Sequence, residues 1–438
     1  MTRKMKDSGI EWIGEIPEDW KTTRIAGLYS LRNTKVSDMD YPPLSVTMKG
    51  VVPQLENAAK TNDHNNRKLV KKNDFVINSR SDRRGSCGIS KYDGSVSLIN
   101  TVLSPRDKMD PEFYNLLFTT PSFSSEFYKW GNGIVDDLWT TNWNKMKDIN
   151  VPRPDLEEQH KISTFLNSRL LKINRLIEKT SCQIQILEDY KKSVITEAVT
   201  KGLDKNVEMK DSGIEWIGEI PKHWEVKRLK NFTKNRQGGA WGKDVDLKNE
   251  NQNIICIRIA DFDYPKMTIR KDREFTFRNY TKSEIAKYTL QKGDILVEKS
   301  GGGEKTPVGR TIIWNEDFKA LYANFIERIR LDRDIVLPMY AQFCFYAFYG
   351  MGGSNLYFNQ TTGLQNLDMS TMLNKLNFPI PKISEQNFII DFLNKKTATI
   401  DEAIAAKEKQ LEILEEYKKS LIYEYVTGKK EVEDVGTI

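Results

Sequence analysis

One stretch of this chain is written twice. Met5-Lys-Asp-Ser-Gly-Ile-Glu-Trp-Ile-Gly-Glu-Ile-Pro17 returns letter for letter as Met209 to Pro221, an offset of 204. A second pair lies further on. Glu158-Gln159, Phe165-Leu166-Asn167 and Leu187-Glu-Asp-Tyr-Lys-Lys-Ser193 match Glu385-Gln386, Phe392-Leu393-Asn394 and Leu414-Glu-Glu-Tyr-Lys-Lys-Ser420, an offset of 227. The chain is therefore two copies of one unit, and the middle of the second copy is longer by the difference, 23 residues. An internal repeat with like ends and unlike middles restricts the fold to a pseudo-twofold, two-part arrangement.

Each half is long enough to bury a core, with 39% of residues hydrophobic and 10% aromatic. No apolar run reaches the roughly 18 residues expected of a membrane span, and the start, Met1-Thr-Arg-Lys-Met-Lys-Asp7, has no apolar segment behind it. Cys87, Cys182, Cys256 and Cys344 are scattered, with no CxxC, so a reducing, cytoplasmic location is expected. The net charge of +6 permits nucleic-acid binding but does not require it, because clustering on one face decides that.

Residues 5–25 hold Trp12, Ile13, Ile16 and Trp20 in short apolar pieces broken by Gly14 and Pro17, which predicts strand and turn packed on a core. Strands are predicted at Pro43–Met48, Asp74–Ile77 and Gly88–Ser90, and a helix at Pro111–Phe118 with proline in its first turn. Val151-Pro-Arg-Pro154 is expected to stop regular structure. In the second copy Gly293–Val297 stands where Asn73–Ile77 stood, Val308-Gly309 is expected to answer Cys87-Gly88, and Phe378-Pro-Ile-Pro381 answers Val151-Pro-Arg-Pro154. Glu431 to Ile438 is expected to be a frayed tail.

Residues 157–199 contain neither glycine nor proline. Ile177, Ile184 and Lys191 at heptad position a place Ile173, Thr180, Leu187 and Val194 at d. The same register in the second copy gives Ile404, Leu411 and Lys418 at a, with Ile400, Lys407, Leu414 and Leu421 at d. The pattern predicts a coiled coil. At ~1.5 Å per residue such a helix is a rod of about 65 Å, and two in one pseudo-twofold chain would pair antiparallel. The alternative is an ordinary amphipathic helix on each domain.

Catalytic signatures fail on inspection. Tyr41-Pro-Pro-Leu44 resembles an amino-methyltransferase motif but lacks the leading amide or carboxylate that holds the target amine. Ser300-Gly-Gly-Gly-Glu-Lys-Thr306 resembles a phosphate loop, yet Glu304 separates lysine from glycine. Pro154-Asp155 with Asp189-Tyr-Lys191 could suggest a nuclease, but Lys191 lies on the heptad seam. His64, His160 and His223 lack zinc spacing. What remains is contact chemistry on loops. After the strand at 74–77 come Ser79, Arg80, Ser81, Arg83, Arg84 and Ser86, combining forked donors that suit guanine edges and phosphates with small hydroxyls. The matching loop of the second copy offers Lys299, Ser300, Lys305, Thr306 and Arg310 around three glycines whose N–H groups can approach an anion. Arg236, Gln237, Trp241 and Lys243 form a further loop, and Ser45, Thr47 and Lys49 lie near the end of an early strand. A solvated loop is the plain alternative for each.

Taken together, the repeated Gly-Ile-Glu-Trp-Ile-Gly-Glu-Ile-Pro openings, the Pro-x-Pro-x-x-x-Glu-Gln entries at Pro152 and Pro379, and the Leu-Glu-x-Tyr-Lys-Lys-Ser segments resemble the specificity subunits of type I restriction–modification enzymes end to end. The resemblance implies an α/β (α+β) chain in which two mixed target-recognition domains, residues 1–155 and 203–382, are joined by two long antiparallel coiled-coil helices, 156–202 and 383–430, with a tail at 431–438. It implies that this chain is not itself an enzyme and binds no cofactor. It would read a bipartite site on double-stranded DNA, non-palindromic because the middles differ. It would scaffold two modification subunits that use S-adenosylmethionine to methylate adenine, and be joined by restriction subunits that use ATP and Mg. The seam residues Ile173, Ile177, Ile184, Leu187, Val194, Ile400, Ile404, Leu411, Leu414 and Leu421 would form the spacer.

Overall fold

A computed structural model describes residues 3–56, 64–106, 108–133, 139–248, 250–361 and 363–432. The chain divides into two compact units: unit 1 is Met1–Ser181 with Lys409–Ile438, and unit 2 is Cys182–Glu408. Both boundaries fall inside long helices, Leu156–Lys201 and Ile383–Val426. Each unit therefore holds the start of one long helix and the end of the other.

In unit 1 the opening repeat is an antiparallel ribbon, Met5–Ile10 on Gly14–Pro17. Lys21–Arg24 then pairs with Asn150–Arg153. The Pro-x-Pro stretch thus does not stop regular structure. It is a strand of a two-stranded ribbon, where a proline's missing N–H need not cost a ladder bond. A four-stranded antiparallel sheet follows in the spatial order Cys87–Ile89, Phe75–Asn78, Asn100–Pro105, Tyr29–Leu31. Two short helices cover it, Pro111–Phe118 and Pro121–Lys129. Each has proline in its first turn, and their caps are Asp110 and Thr120, whose side chains accept from the N–H groups of Glu112 (2.9 Å) and Phe123 (3.3 Å). Their buried aromatics make the core, with Phe118 at 5.0 Å from Phe75 and 4.4 Å from Phe123 between ring centroids.

Unit 2 repeats the frame. Met209–Asp211 pairs with Glu219–Pro221, and Glu225–Arg228 pairs with Asn377–Ile380. The four-stranded sheet has the matching order Thr311–Ile313, Ile295–Glu298, Ile326–Leu331, Thr233–Gly238. The strand after the loop starts later than expected. Val76 pairs with Gly88, whereas Leu296 pairs with Ile312, so Thr311-Ile312 and not Val308-Gly309 answers Cys87-Gly88. The loop here is longer, and the like dipeptide belongs to its end. Asp74 and Asp294 keep one role in both units. Each is buried, accepts a backbone N–H at 2.8 Å, from Lys71 or Gln291, and is gripped by a two-pronged arginine, Arg32 or Arg330. The frames carry different additions. Unit 1 has a three-stranded antiparallel sheet and the hairpin Leu44–Thr47/Gly50–Pro53. Unit 2 has a sheet in which Asn253–Ile257 runs parallel to Ala320–Tyr322, a ribbon Phe262–Asp263/Thr268–Ile269 and a hairpin Phe358–Thr361/Leu364–Leu367.

The long helices pack as the heptad requires. In unit 1 Ile162, Leu166, Leu170 and Ile173 share a core with Leu421 and Val426, and the Phe165 and Tyr425 rings lie 4.8 Å apart. In unit 2 Ile195, Ala198 and Val199 share a core with Ile389 and Leu393. In each unit the start of one helix meets the end of the other, so the packing is antiparallel. All the seam residues predicted, with Thr180, Lys191, Lys407 and Lys418, are buried or half-buried. The first turns also rest on their own domain, so both readings of these helices hold together. Both helices end in the same way. Gly202 and Gly428 each have φ +73°, and a Cβ on Gly202 would lie 3.1 Å from Trp224, just as Gly428 sits against Pro17 and Trp20. Val432 is buried in unit 1, so the tail is anchored at its beginning; residues 433–438 lie outside the described set.

Candidate nucleic-acid interface

In unit 1 the wholly buried strand Phe75–Asn78 projects the loop 79–86 from the sheet edge. The loop is tied down from three sides. Ser79 N–H donates to Ile99 O (3.2 Å), Ser81 N–H to Trp139 O (2.8 Å), and Tyr128 Oη to Asn78 O (2.8 Å). Opposite stands the hairpin 44–53, which lies so close to Gly88 that a Cβ there would come within 2.9 Å of Gly50 Cα. Between loop and hairpin opens a cleft of about 560 Å³. Its lining brings together five residues singled out from sequence, Ser45, Thr47, Arg83, Arg84 and Ser86, and adds Gln54, Arg67, Asn78 and Asn100.

The remaining candidates of this half sit elsewhere. Ser79 is buried with its Oγ 2.9 Å from Thr101 Oγ1, and Ser81 is buried too. Arg80 is paired with Asp82 at 3.1 Å, and Lys49 is exposed at the hairpin tip. Within the cleft Arg83 is largely exposed, and the Arg84 guanidinium lies over the Tyr128 ring at 5.5 Å. Arg67 is buried with its Nε on Ser95 Oγ (2.8 Å), and that burial lowers its pKa. Asn100 donates Nδ2–H to Ser97 O and Oγ (3.2 and 3.1 Å), but its buried Oδ1 has no partner among the described residues. An orphaned acceptor costs ~1–3 kcal/mol until a donor reaches it. Neither Arg67 nor Asn100 had a sequence signal, since strand pairing alone carries them to the cleft.

In unit 2 the buried strand Ile295–Glu298 projects the corresponding loop. Arg236 and Lys299 converge on the buried Glu327, at 3.2 and 3.7 Å, and Arg236 also donates to Ser370 Oγ (3.1 Å). Ser300 Oγ donates to Asn366 Oδ1 (2.8 Å), which fastens the loop to the hairpin 358–367. Gln237 uses its amide on Gly238 O (3.0 Å). Lys305 and Thr306 are exposed at a turn closed by Gly303 N–H to Thr306 O (3.0 Å) and the reverse bond (3.1 Å), so Gly303 keeps its N–H for the turn. Arg310 turns inward, with Nε and Nη2 on Glu298 at 2.7 and 3.0 Å, and this pairing raises its pKa. Trp241 is exposed with one face under the Arg278 guanidinium at 4.8 Å, and Lys243 follows it, its backbone bonded both ways to Asn279.

No group of three His, Cys, Asp or Glu side chains able to hold a metal ion occurs among the described residues. Within the same set no helix is long and apolar enough to cross a membrane.

Comparison with known proteins bears on this arrangement. The sequence matches the family described as "Type I restriction modification DNA specificity domain" twice, over residues 17–185 and 221–413. It is 24% identical over 436 residues to the type I restriction enzyme MjaVIII specificity subunit of Methanocaldococcus jannaschii, covering 96% of this chain and 95% of that one. It is 27% identical over 284 residues to the StySPI specificity subunit of Salmonella potsdam, covering 62% of this chain and 58% of that one. The fold is similar, with a TM-score of 0.67 at 12% identity, to a chain in a solved structure concerned with complex assembly and conformational transition of the type I R-M system, covering 95% of this chain and 99% of that one. Two matched segments that span most of the repeat, on a frame with polar loops at equivalent sheet edges, place the chain in the type I restriction–modification DNA specificity family, as a non-catalytic specificity subunit.

Proposed function

We propose that this subunit reads a bipartite, non-palindromic site on double-stranded DNA, one half-site with each unit, and holds two copies of one modification subunit on it. The observation that carries the reading is the recurrence of one four-stranded frame with unlike polar loops at the same sheet edge. Like frames suit two like half-complexes, and unlike loops suit two different base sequences. In unit 1, Arg83 and Arg84 would hold phosphates, while Asn100 Oδ1 would accept a base amino group and so lose its orphan status. In unit 2, Arg236, Lys299 and the open face of Trp241 would play the contact role, and Arg310 would stay structural. The target adenine would be extruded into the partner, which supplies S-adenosylmethionine, and restriction subunits using ATP and Mg would join that core in the cytoplasm.

The partner stoichiometry rests on a repeated surface feature. Ile186 and Tyr190 are 60% and 46% exposed on unit 2, and Ile413 and Tyr417, their repeat equivalents, are 56% and 54% exposed on unit 1. Each pair is spaced i, i+4 on a helix and lies off the seam, so one apolar patch is presented once per unit. Two identical partners would dock on these two repeat-equivalent patches.

The test is methylome sequencing of a host carrying this chain with its cognate modification subunit, before and after residues 26–150 are exchanged for those of another specificity subunit. One half-site should change and the other stay. A continuous site, or a change in both halves, would refute the reading.

A further inference from the structure

Lys191 stands at a seam position where an apolar residue would pack, and it is buried. Its ammonium is fully engaged within unit 2. It donates to both carboxylate oxygens of Asp401 on the facing helix, at 2.6 and 2.8 Å, and to Pro265 O at 2.7 Å. Pro265 lies in the turn of the ribbon Phe262–Asp263/Thr268–Ile269, an addition that only the second middle carries. One side chain therefore joins three things: the first long helix, the second, and the second recognition domain.

The turn it reaches is conformationally demanding, and unit 2 also holds it through Tyr264, whose ring stacks on Tyr346 at 4.9 Å and meets Tyr349 at 5.0 Å. Met267 adopts φ +57°, a left-handed conformation that a long side chain takes at a cost. It is kept there by burial of its side chain, by its N–H on Tyr264 O (3.0 Å) and by Ile313 N–H on its carbonyl (3.0 Å). The equivalent place in unit 1 is built differently. The Lys418 side chain makes no hydrogen bond or ion pair among the described residues, and the position answering Asp401 is Asn174, which has no carboxylate. The device is one-sided.

We infer that Lys191, with Asp401, is a positioning residue that fixes the second recognition domain on the helix pair and so sets how strictly the gap between half-sites is measured. A lysine in a seam sacrifices stability for register, because only one alignment of the helices gives its charge a partner. Here the same charge also chooses the place of the ribbon turn. Unpinned, unit 2 would keep its base-reading loops but tolerate a domain orientation that serves a gap one base pair too long or too short. The gap statement rests on the function proposed above, and the pin does not.

The experiment uses the full chain with its cognate modification subunit and compares wild type with Lys191→Met and Asp401→Asn. Asp401→Asn keeps shape on a half-exposed side chain, so it tests the pin even where the methionine variant folds poorly. Two readouts are taken. In hydrogen exchange, amides of residues 262–269 should exchange about tenfold faster in both variants, with the sheet strand 295–298 unchanged, a coupling within the usual ~5–150-fold range. In methylation of DNA with the cognate gap against gaps changed by one base pair, the preference for the cognate gap should fall by a similar factor, with half-site letters unchanged. Unaltered exchange at 262–269 in both variants overturns the pin. Faster exchange with unaltered gap preference overturns its role in measuring the gap. Absence of any bipartite methylation by the wild-type complex instead counts against the proposed function and leaves the exchange result to judge the pin.

Discussion

The duplicated opening provides an internal control for a stability prediction. Trp20 and Trp224 are repeat equivalents, both essentially fully buried. Yet the Trp224 Nε1–H donates to Glu385 Oε1 at 3.0 Å, whereas Trp20 Nε1 has no partner among the described residues. The cause lies one layer out. Glu158, the equivalent of Glu385, is taken by Arg3 at 2.8 Å, and the residue equivalent to Arg3 in the second copy is Val207. Trp→Phe removes the same ring area and leaves a similar void at both sites, about 1–3 kcal/mol. At Trp224 it also removes a bond to a charged acceptor, ~1.5–3 kcal/mol, of which the lower end applies because Glu385 is partly exposed and keeps His223 at 2.9 Å. At Trp20 it removes an orphaned N–H and returns ~1–3 kcal/mol. Trp224→Phe should therefore cost about 3 kcal/mol more than Trp20→Phe. A single unfolding midpoint is a poor readout for a two-unit chain. Hydrogen exchange of the core strands, residues 75–78 for unit 1 and 295–298 for unit 2, reports each separately. Equal costs, or a larger cost at Trp20, would refute the reasoning.

Other expectations follow from the same geometry. Arg83→Ala and Arg84→Ala should each reduce the slope of log binding constant against log salt by about 0.9 if each holds one phosphate, measured on the complex with cognate DNA; an unchanged slope would remove them from the interface. Inserting one heptad into each long helix, between 181 and 182 and between 408 and 409, adds ~10.5 Å, about three base pairs at 3.4 Å each. The methylome should show a longer gap with the same half-site letters, and altered letters would contradict the division of labour. Partial desolvation of an otherwise exposed side chain, with the buried Asp110 nearby, raises the pKa of Glu112. Its folded-state stabilisation is complete below the ordinary carboxyl pKa and is lost as pH rises through the raised value. Glu112→Gln should thus stabilise unit 1 near pH 7 and not in acid, read by exchange at residues 75–78 across pH.

Much of the site's scaffold was legible because it is written in local periodicity. The heptad names its own seam, and burial along both helices follows it residue by residue, including Thr180 and Lys191. The Asp74–Ile77 and Gly293–Val297 strands were legible as short apolar runs before polar loops. Errors came where a local rule met a non-local partner. Pro152 looked like a stop, yet Lys21–Arg24 supplied a strand for it to join. Val308-Gly309 looked like the repeat of Cys87-Gly88, but pairing with Ile295–Val297 selected Thr311–Ile313. Nor does the local sequence show that Arg310, read there as an anion contact, pairs with Glu298 at the end of the neighbouring strand.

The sequence by itself determined that there are two like frames, two seam helices and two unlike middles, because repeats and apolar periods survive without coordinates. Only the tertiary structure decided which polar groups share a cleft, such as Asn100 with Arg83, and what the seam lysine Lys191 pairs with. A cleft or a buried ion pair is made of residues far apart in the chain, here Lys191, Pro265 and Asp401, and nothing in their local sequence records that they meet.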